Sequence, residues 1–425
     1  MTKIAPFKAV TYNTNKFKDL PKLVCPPYDI IFPADQQYYH DLSEYNLIHM
    51  LLGKDISGED KYKRAAAYFK EWLKKEVFIQ SDSPAIYFYS QEYILKGEKK
   101  NRIGFIARLH LDDKNSSTYG HEHTGLEAKE DRLRLLKAVK ANLSPIFVLF
   151  QDQKRIIARV FQQHVRDTQP FIELTDKERI MHKVWRMDNP SVIEMMQLDM
   201  KNKNIFIADG HHRYEVSCVY RDQLRRKMNS FTGEEDFNYT LAYFTNVESR
   251  GLTIMPIHRL VKIGANFNID NFKGFLKDYF DVEDVKGKER FLFLMEKAGN
   301  TEHIIGVYKD RKYWLLRLKN VKILDKLMAE ESSKYRSLDV SILNYLVLKN
   351  GLGLNFENKE KIIFSAHPDE LISSVDNDPE EIAFFLNPVK IQQIMSLALD
   401  NEKMPAKSTY FYPKVLSGLV INKHE

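Results

Sequence analysis

Three short stretches of this chain gather most of the side chains able to do chemistry. The densest is Asp209-Gly210-His211-His212-Arg213, which puts a carboxylate, a glycine, two imidazoles and a guanidinium into five residues. Gly210 lets the backbone come close to a ligand. Arg213 carries the planar fork that grips phosphate through two hydrogen bonds. His211 and His212 can give or take protons near neutral pH. The second stretch is His121-Glu122-His123-Thr124, with Lys129 and Arg132 following within two helical turns. The third is Lys407-Ser408-Thr409, with Lys414 a few residues on. Lysines and hydroxyls between prolines can clamp a phosphorylated ligand, although no glycine loop of the Walker type precedes them. Two smaller groups complete the set. Tyr28-Asp29 follows Cys25-Pro26-Pro27, and His258-Arg259 falls near the end of an apolar run.

Sorted by chemistry, Glu122, Asp209, His211 and His212 are the candidates for acid, base or nucleophile work. Gly210, Arg213, Lys407, Ser408 and Thr409 are the candidates for holding phosphate. Tyr28, Asp29, His121, His123, Lys129, Arg132, His258, Arg259 and Lys414 are supporting residues. Plainer roles compete with each of these. Asp209 can be a helix N-cap, and Lys129 and Arg132 can be solvated helix charges. His121 and His123, two apart in an extended chain, would point the same way, as metal ligands can. No His-Glu-x-x-His helix motif accompanies them, so a metal stays open. Cys25 lies next to two prolines with no electropositive helix end evident nearby, which argues against a thiol nucleophile.

The elements that position these groups follow from the apolar pattern. Ile205-Phe206-Ile207-Ala208 reads as a buried strand, Asp209-Gly210 as a turn, and the residues from His211 as a helix. The dense stretch therefore sits at a helix N-terminus, where free N–H groups and the helix dipole favour an anion. Thr124 with Glu127 predicts a capping box, opening a helix that runs to about Ala141 with Leu126, Leu133, Leu136 and Val139 as its buried stripe. Ala85–Leu95 and Arg102–Leu111 read as a hairpin around Lys96-Gly97-Glu98-Lys99. Helical periodicity covers part of 57–80, and Ile146–Phe150, His182–Met187, Tyr239–Val247 and Gly251–Val261 read as strands. Asp339 is predicted to cap a helix.

This mixture predicts an α+β fold with a mixed or antiparallel sheet. The expected organisation is a core over 1–262 carrying both the His-Glu-His-Thr and Asp-Gly-His-His-Arg stretches. A second α+β domain spans 263–400, and residues 401–425 return to the core site.

The 425 residues are 44% hydrophobic, ample for a large core. Lys and Arg total 64 against 58 for Asp and Glu, a mixed surface rather than a nucleic-acid tail. Two cysteines rule out a disulfide framework and suit a reducing compartment. No signal-type apolar core and no membrane-length apolar run is present, so a cytoplasmic location is expected.

Ala208-Asp209-Gly210-His211-His212-Arg213-Tyr214, Cys25-Pro26-Pro27-Tyr28-Asp29, the His121–Thr124 stretch and the run from Met404 to Leu419 together resemble the domain-of-unknown-function family numbered 1015. The Gly-x-His-Arg core, over a few residues only, is similar to the phosphate-binding turn of the ParB/sulfiredoxin superfamily, which includes free-serine kinases. Where sulfiredoxins carry a catalytic cysteine, this chain has His211, so thiol chemistry is not implied. The resemblance implies a ParB/sulfiredoxin-like strand–turn–helix element and a phosphotransfer enzyme acting on a small metabolite. Serine or phosphoserine is the substrate it points to, in the kinase or the phosphatase direction. Mg²⁺ with ATP or ADP is the cofactor set that goes with it. Partners are then a small phosphorylated metabolite or nucleotide. Two alternatives stand beside it. One is a metal-dependent hydrolase using His121, His123, His211 and Asp209. The other is a ParB-like, nucleotide-regulated DNA-binding protein, against which the modest net charge counts.

Overall fold

The structure is a computed structural model and describes residues 1–111, 117–299, 301–355 and 361–425. It divides into two compact units. The first comprises Met1–Gly120, Thr124–Thr253 and Pro413–Glu425, and the second comprises His121–His123 and Ile254–Tyr412.

The first unit is built on a nine-stranded sheet. Its strands are β1 (Ile4–Ala5), β2 (Ile86–Leu95), β3 (Glu98–His110), β4 (Thr118–Tyr119), β5 (Ile146–Phe150), β6 (Ile172–Thr175), β7 (Met181–Met187), β8 (Ile205–Asp209) and β9 (Tyr239–Asn246). The order is β4-β8-β5-β9-β3-β2-β7-β6, with β1 on β3. β5 pairs in parallel with β9, and β4 with β8, while the other pairs are antiparallel. The fold class is thus α+β with a mixed sheet. Its helices include α1 (Lys61–Lys74), α2 (Leu126–Val139), α3 (Ile156–His164), α4 (Pro190–Met200) and α5 (His211–Arg225).

Alternation along the strands sorts two buried faces. Ile86, Phe88, Phe105, Ala107, Ile146, Val148, Ile205, Ile207 and Phe244 form one core with Val160 and Phe161 of α3 and Ile193 and Met196 of α4. The intervening residues Tyr87, Tyr89, Phe147 and Tyr243 are equally buried. A sheet covered on both sides reads as continuous apolar runs, which is why β5 and β8 stand out in the sequence. Arg102, fully buried, lies over the rings of Phe147 and Tyr243 and donates to Gln91 and to the Pro413 carbonyl. The returning C-terminal segment is anchored there, within the first unit.

Two local expectations about α2 do not survive. Its N-cap is Gly125, with no side-chain cap, and the Thr124 hydroxyl donates instead to Glu215 of α5 at 2.6 Å. A tertiary carboxylate has outcompeted the local box. Leu126 is 81% exposed, and the buried face runs through Arg132, Leu135, Leu136 and Val139. That face meets Val216 and Tyr220 of α5.

The second unit holds a six-stranded sheet of β10 (His258–Lys262), β11 (Phe280–Val285), β12 (Ile304–Lys309), β13 (Lys312–Leu318), β14 (Ile362–Ser365) and β15 (Glu381–Phe385), in the order β11-β13-β12-β15-β10-β14. Its helices include α6 (Lys288–Ala298), α7 (Asp339–Ile342), α8 (Pro368–Asn377) and α9 (Ile391–Leu399). Phe291 and Met295 of α6 and Leu371 and Val375 of α8 pack with Ala383 and Phe385 of β15. α7 runs on as a π-helix over Leu343–Gly351, which its sequence did not signal. Asp339 is the first residue of α7 rather than its cap. Pro256 separates β10 from the short strand Thr253–Met255, so Gly251–Val261 is not one strand.

Candidate functional site

The strand–turn–helix at Ile205–Arg225 forms as the apolar pattern dictates, and one irregularity aims it. Along the β8–β5 ladder Ile207 faces Val148 and Asp209 faces Phe147, so Ala208 is an extra residue in the strand. Such a bulge bends the strand end and re-aims the next side chain. Gly210 follows in the left-handed region, with φ +88°, and is the N-cap of α5. The first turn of α5 has no side-chain cap and no acidic residue.

The Asp209 carboxylate bridges two cations. One oxygen accepts from Arg213 at 2.7 Å and the other from Lys414. All three side chains are nearly buried, at 11–12% exposure. Arg213 also donates to the Ser144 hydroxyl at 2.8 Å and to the Pro145 carbonyl. It is therefore a partnered, positioned cation and not a free surface arm. A Cβ on Gly210 would lie 2.9 Å from the Arg213 guanidinium carbon, so the guanidinium lies against the glycine itself.

The Cys25–Asp29 loop comes to the same place. Pro27 is extended, with ψ 149°, and leads into a single 3-10 turn over Tyr28–Ile30. Cys25 bridges Ser417, whose hydroxyl also meets that of Ser144 at 2.9 Å. The Asp29 residue is exposed overall, yet its carboxyl is raised above the usual carboxylate range. Loss of water around the carboxyl comes first among the causes and the like charge of Asp209 second, against the pull of Arg213 and Lys414. The Tyr28 phenol is pushed up to about 12, mainly by burial. The Arg132 guanidinium covers its ring at 4.3 Å and donates to the Leu51 carbonyl. Tyr28, Arg132, Asn142, Ser144, Arg213 and Ser217 line a cavity of about 60 Å³. Burial also drives the Cys25 thiol well up and the Cys218 thiol up to about 11, so neither presents a thiolate at neutral pH.

The remaining candidates scatter around other tasks. His211 is buried, with its ring against Gly120. His212 is partly buried, and its Nε2 accepts the Gly125 N–H at 3.0 Å, tying the start of α2 to α5. Lys129 pairs with Glu215 at 3.2 Å. In the second unit His121 is fully buried and meets the Thr409 hydroxyl at 3.2 Å, whereas His123 is exposed. The two histidines therefore do not share one environment. Glu122 is half-buried between them. Ser408 is buried and donates to the Pro405 carbonyl, while Lys407 is exposed, and its own carbonyl accepts from Arg259 at 3.0 Å. Among the described residues no group of three or more His, Cys, Asp or Glu side chains is arranged to hold a metal ion.

His258 and Arg259 are core residues of β10. The His258 Nδ1 accepts the Leu386 N–H at 3.2 Å, and burial, helped by Arg259, lowers its pKa to about 3. Burial lowers Arg259 to about 9. The unfolded chain takes up a proton at His258 near its ordinary pKa of about 6.5, and the folded chain does not until about 3. This group's contribution is therefore intact above pH ~6.5 and lost as pH falls towards 3, at about 1.4 kcal/mol per pH unit. Urea unfolding of wild type and His258→Gln between pH 7 and pH 5 should show the variant with the shallower dependence. Equal slopes would contradict the buried neutral imidazole.

Fold and site together define the class: an α+β protein in which a buried strand of the mixed sheet ends in a bulged turn carrying an acid between two bases. The chain belongs to the family described as protein of unknown function (DUF1015), whose profile matches residues 4–341. No curated protein sequence matches it. Among solved structures it is similar to a mutant free serine kinase in complex with ADP, with a TM-score of 0.37 and 12% identity over 76% of this chain and 92% of that one. It is also similar to a conserved hypothetical protein from Pyrococcus furiosus, with a TM-score of 0.35 and 11% identity over 75% and 95% of the two chains. A third is SbnI with a C-terminal truncation from Staphylococcus aureus, with a TM-score of 0.36 and 10% identity over 73% and 85%. Among the described residues no helix is long and apolar enough to cross a membrane.

Proposed function

We propose that this protein is a phosphotransfer enzyme acting on a small metabolite, with its reaction centre at the end of β8. The observation that carries the reading is the Asp209 carboxylate held between Arg213 and Lys414, with the Asp29 carboxyl raised beside it. Phosphoryl transfer asks mainly for positioning and charge neutralisation. Two cations at an uncapped helix N-terminus supply that for phosphate oxygens. Asp209 has both oxygens engaged, so its role is to hold the cations in place. Asp29 is the better proton acceptor, because desolvation and the neighbouring Asp209 raise its carboxyl and a raised carboxyl is a stronger base. With both Asp209 oxygens taken, Asp29 is the carboxylate that would hold Mg²⁺, which typically takes one or two protein carboxylates and completes its shell with phosphate and water. The like-charge pressure on Asp29 fits a cation there. Bound Mg²⁺ would neutralise phosphate charge. Lys407, Ser408 and Thr409 belong to the second unit, and the reading does not depend on them.

The test incubates the protein with Mg²⁺ and ATP or ADP plus serine, and separately with phosphoserine, within a panel of small hydroxyl-bearing metabolites. Product is measured by mass spectrometry. The turn's resemblance to that of free-serine kinases puts serine first on the panel. Transfer to or from a panel member is expected, and Asp29→Asn should slow it by about 10²–10⁴-fold while leaving thermal unfolding near wild type. Tight duplex-DNA binding at about physiological salt, with no transfer to any panel member, would overturn the proposal in favour of a DNA-binding protein.

A further inference from the structure

Beyond that centre, the second unit contains a separate cleft of about 210 Å³. Gly299 and Thr301–His303 after α6, the start of α7, and the turn from β15 into α9 form most of it, with Ile257 and Ser408 completing the lining. Gly299 and Asn387 fix one wall. A Cβ at Gly299 would fall 2.2 Å from the Asn387 Nδ2, and that nitrogen donates to the Met295 carbonyl at 3.0 Å. A side chain at Gly299 would have to displace the Asn387 amide. Within the cleft lie His303, Asp339 and Lys390.

His303 and Asp339 meet at 2.7 Å between Nδ1 and Oδ1. A carboxylate can only accept, so Nδ1 carries the hydrogen. In the neutral ring this makes Nε2 the acceptor, oriented by Asp339. Both side chains remain partly open, at 28% and 19% exposure. Lys390 is the N-cap of α9, whose first turn holds no acidic residue. An ammonium and the positive end of a helix dipole therefore stand at one side of the cleft. We infer that this cleft binds a small hydroxylated anion. Its carboxylate or phosphate sits at Lys390 and the first turn of α9, and its hydroxyl donates to His303 Nε2. The cleft is smaller than the ~300–1,000 Å³ of sites for drug-sized ligands, which limits the ligand to a small metabolite. Asp339 is a positioning residue that fixes the tautomer.

The test follows the His303 ring nitrogens by NMR in the ¹⁵N-labelled full chain, with the signals assigned through His303→Gln. Glycerate, glycerol phosphate and uncharged glycerol are titrated separately. At least one of the two anions should move the Nε2 signal saturably while glycerol does not, and the tighter anion identifies the head group. Lys390→Ala should weaken that binding about tenfold, the worth of one charge-assisted hydrogen bond. Asp339→Asn should alter the ring's tautomer signature before any ligand is added. No shift with either anion, a shift with glycerol equal to theirs, or full affinity in Lys390→Ala would each overturn the inference. Because the readout is His303 itself, phosphate bound at the end of β8 does not register, and failure of either site leaves the other standing.

Discussion

Asp209→Asn should destabilise the first unit by about 3–5 kcal/mol, the usual result of removing one partner from a buried charge pair. The substitution keeps the shape and deletes the charge, so two nearly buried cations, Arg213 and Lys414, lose their common counter-ion. Arg213→Met and Lys414→Met should each cost less, because Asp209 then keeps one cation. In the Asp209→Asn background, Lys414→Met should be close to neutral, a coupling that a double-mutant cycle in urea would read directly. A single Asp209→Asn loss below about 1 kcal/mol would mean that the three charges are solvated and independent. The sequence presents Arg213 as a candidate for holding phosphate. Its bonds to Asp209, Ser144 and Pro145 give it a structural share as well.

Gly210→Ala is the second large effect. The position has φ +88°, and the new methyl would press on the Arg213 guanidinium at 2.9–3.0 Å. The backbone strain alone is worth about 1 kcal/mol, and the displaced guanidinium should bring the total to about 2–3 kcal/mol. In an Arg213→Ala background the methyl has room, and the cost should fall back to the strain alone. An equal cost in both backgrounds would show that Gly210 is kept for its backbone angle only.

How far the sequence foretold this follows from how local each feature is. Ile205–Ala208 announced a buried strand because it is apolar on both faces, and Asp209-Gly210 announced its end. The same logic found Ile146–Phe150 and the hairpin of Ala85–Leu95 with Arg102–Leu111, observed as Ile86–Leu95 and Glu98–His110. Thr124 deceived because its true partner, Glu215, is 91 residues away. Leu126 deceived because one turn of apolar spacing cannot say where a helix leaves its neighbour. β11, Phe-Asp-Val-Glu-Asp-Val, was hidden by its acids. It is an edge strand with Phe280 and Val285 buried and the acids between them largely open. Asp29 stands out in the sequence by its place after two prolines, but its raised carboxyl comes from desolvation first and from Asp209 second, neither of which anything local reveals. His303 with Asp339 went unseen for the same reason, since 36 residues separate them.

The C-terminal return also sets an order of events during synthesis. Asp209 and Lys414 are 205 residues apart, and Gln91 reaches the Lys414 carbonyl across 323. Everything from Ile254 to Tyr412 belongs to the second unit and must leave the ribosome before Lys414 does. At ~5–20 residues per second the nascent first unit spends roughly 10–40 s with its sheet strands made and its acidic turn short of one cation. Contacts of such long range also slow refolding of the full chain, because the loop must close before the pairing rewards it. The charged turn at the end of β8 is thus among the last parts of the first unit able to mature. A chain released early would carry the strands and the helix of that turn without the residue that completes it.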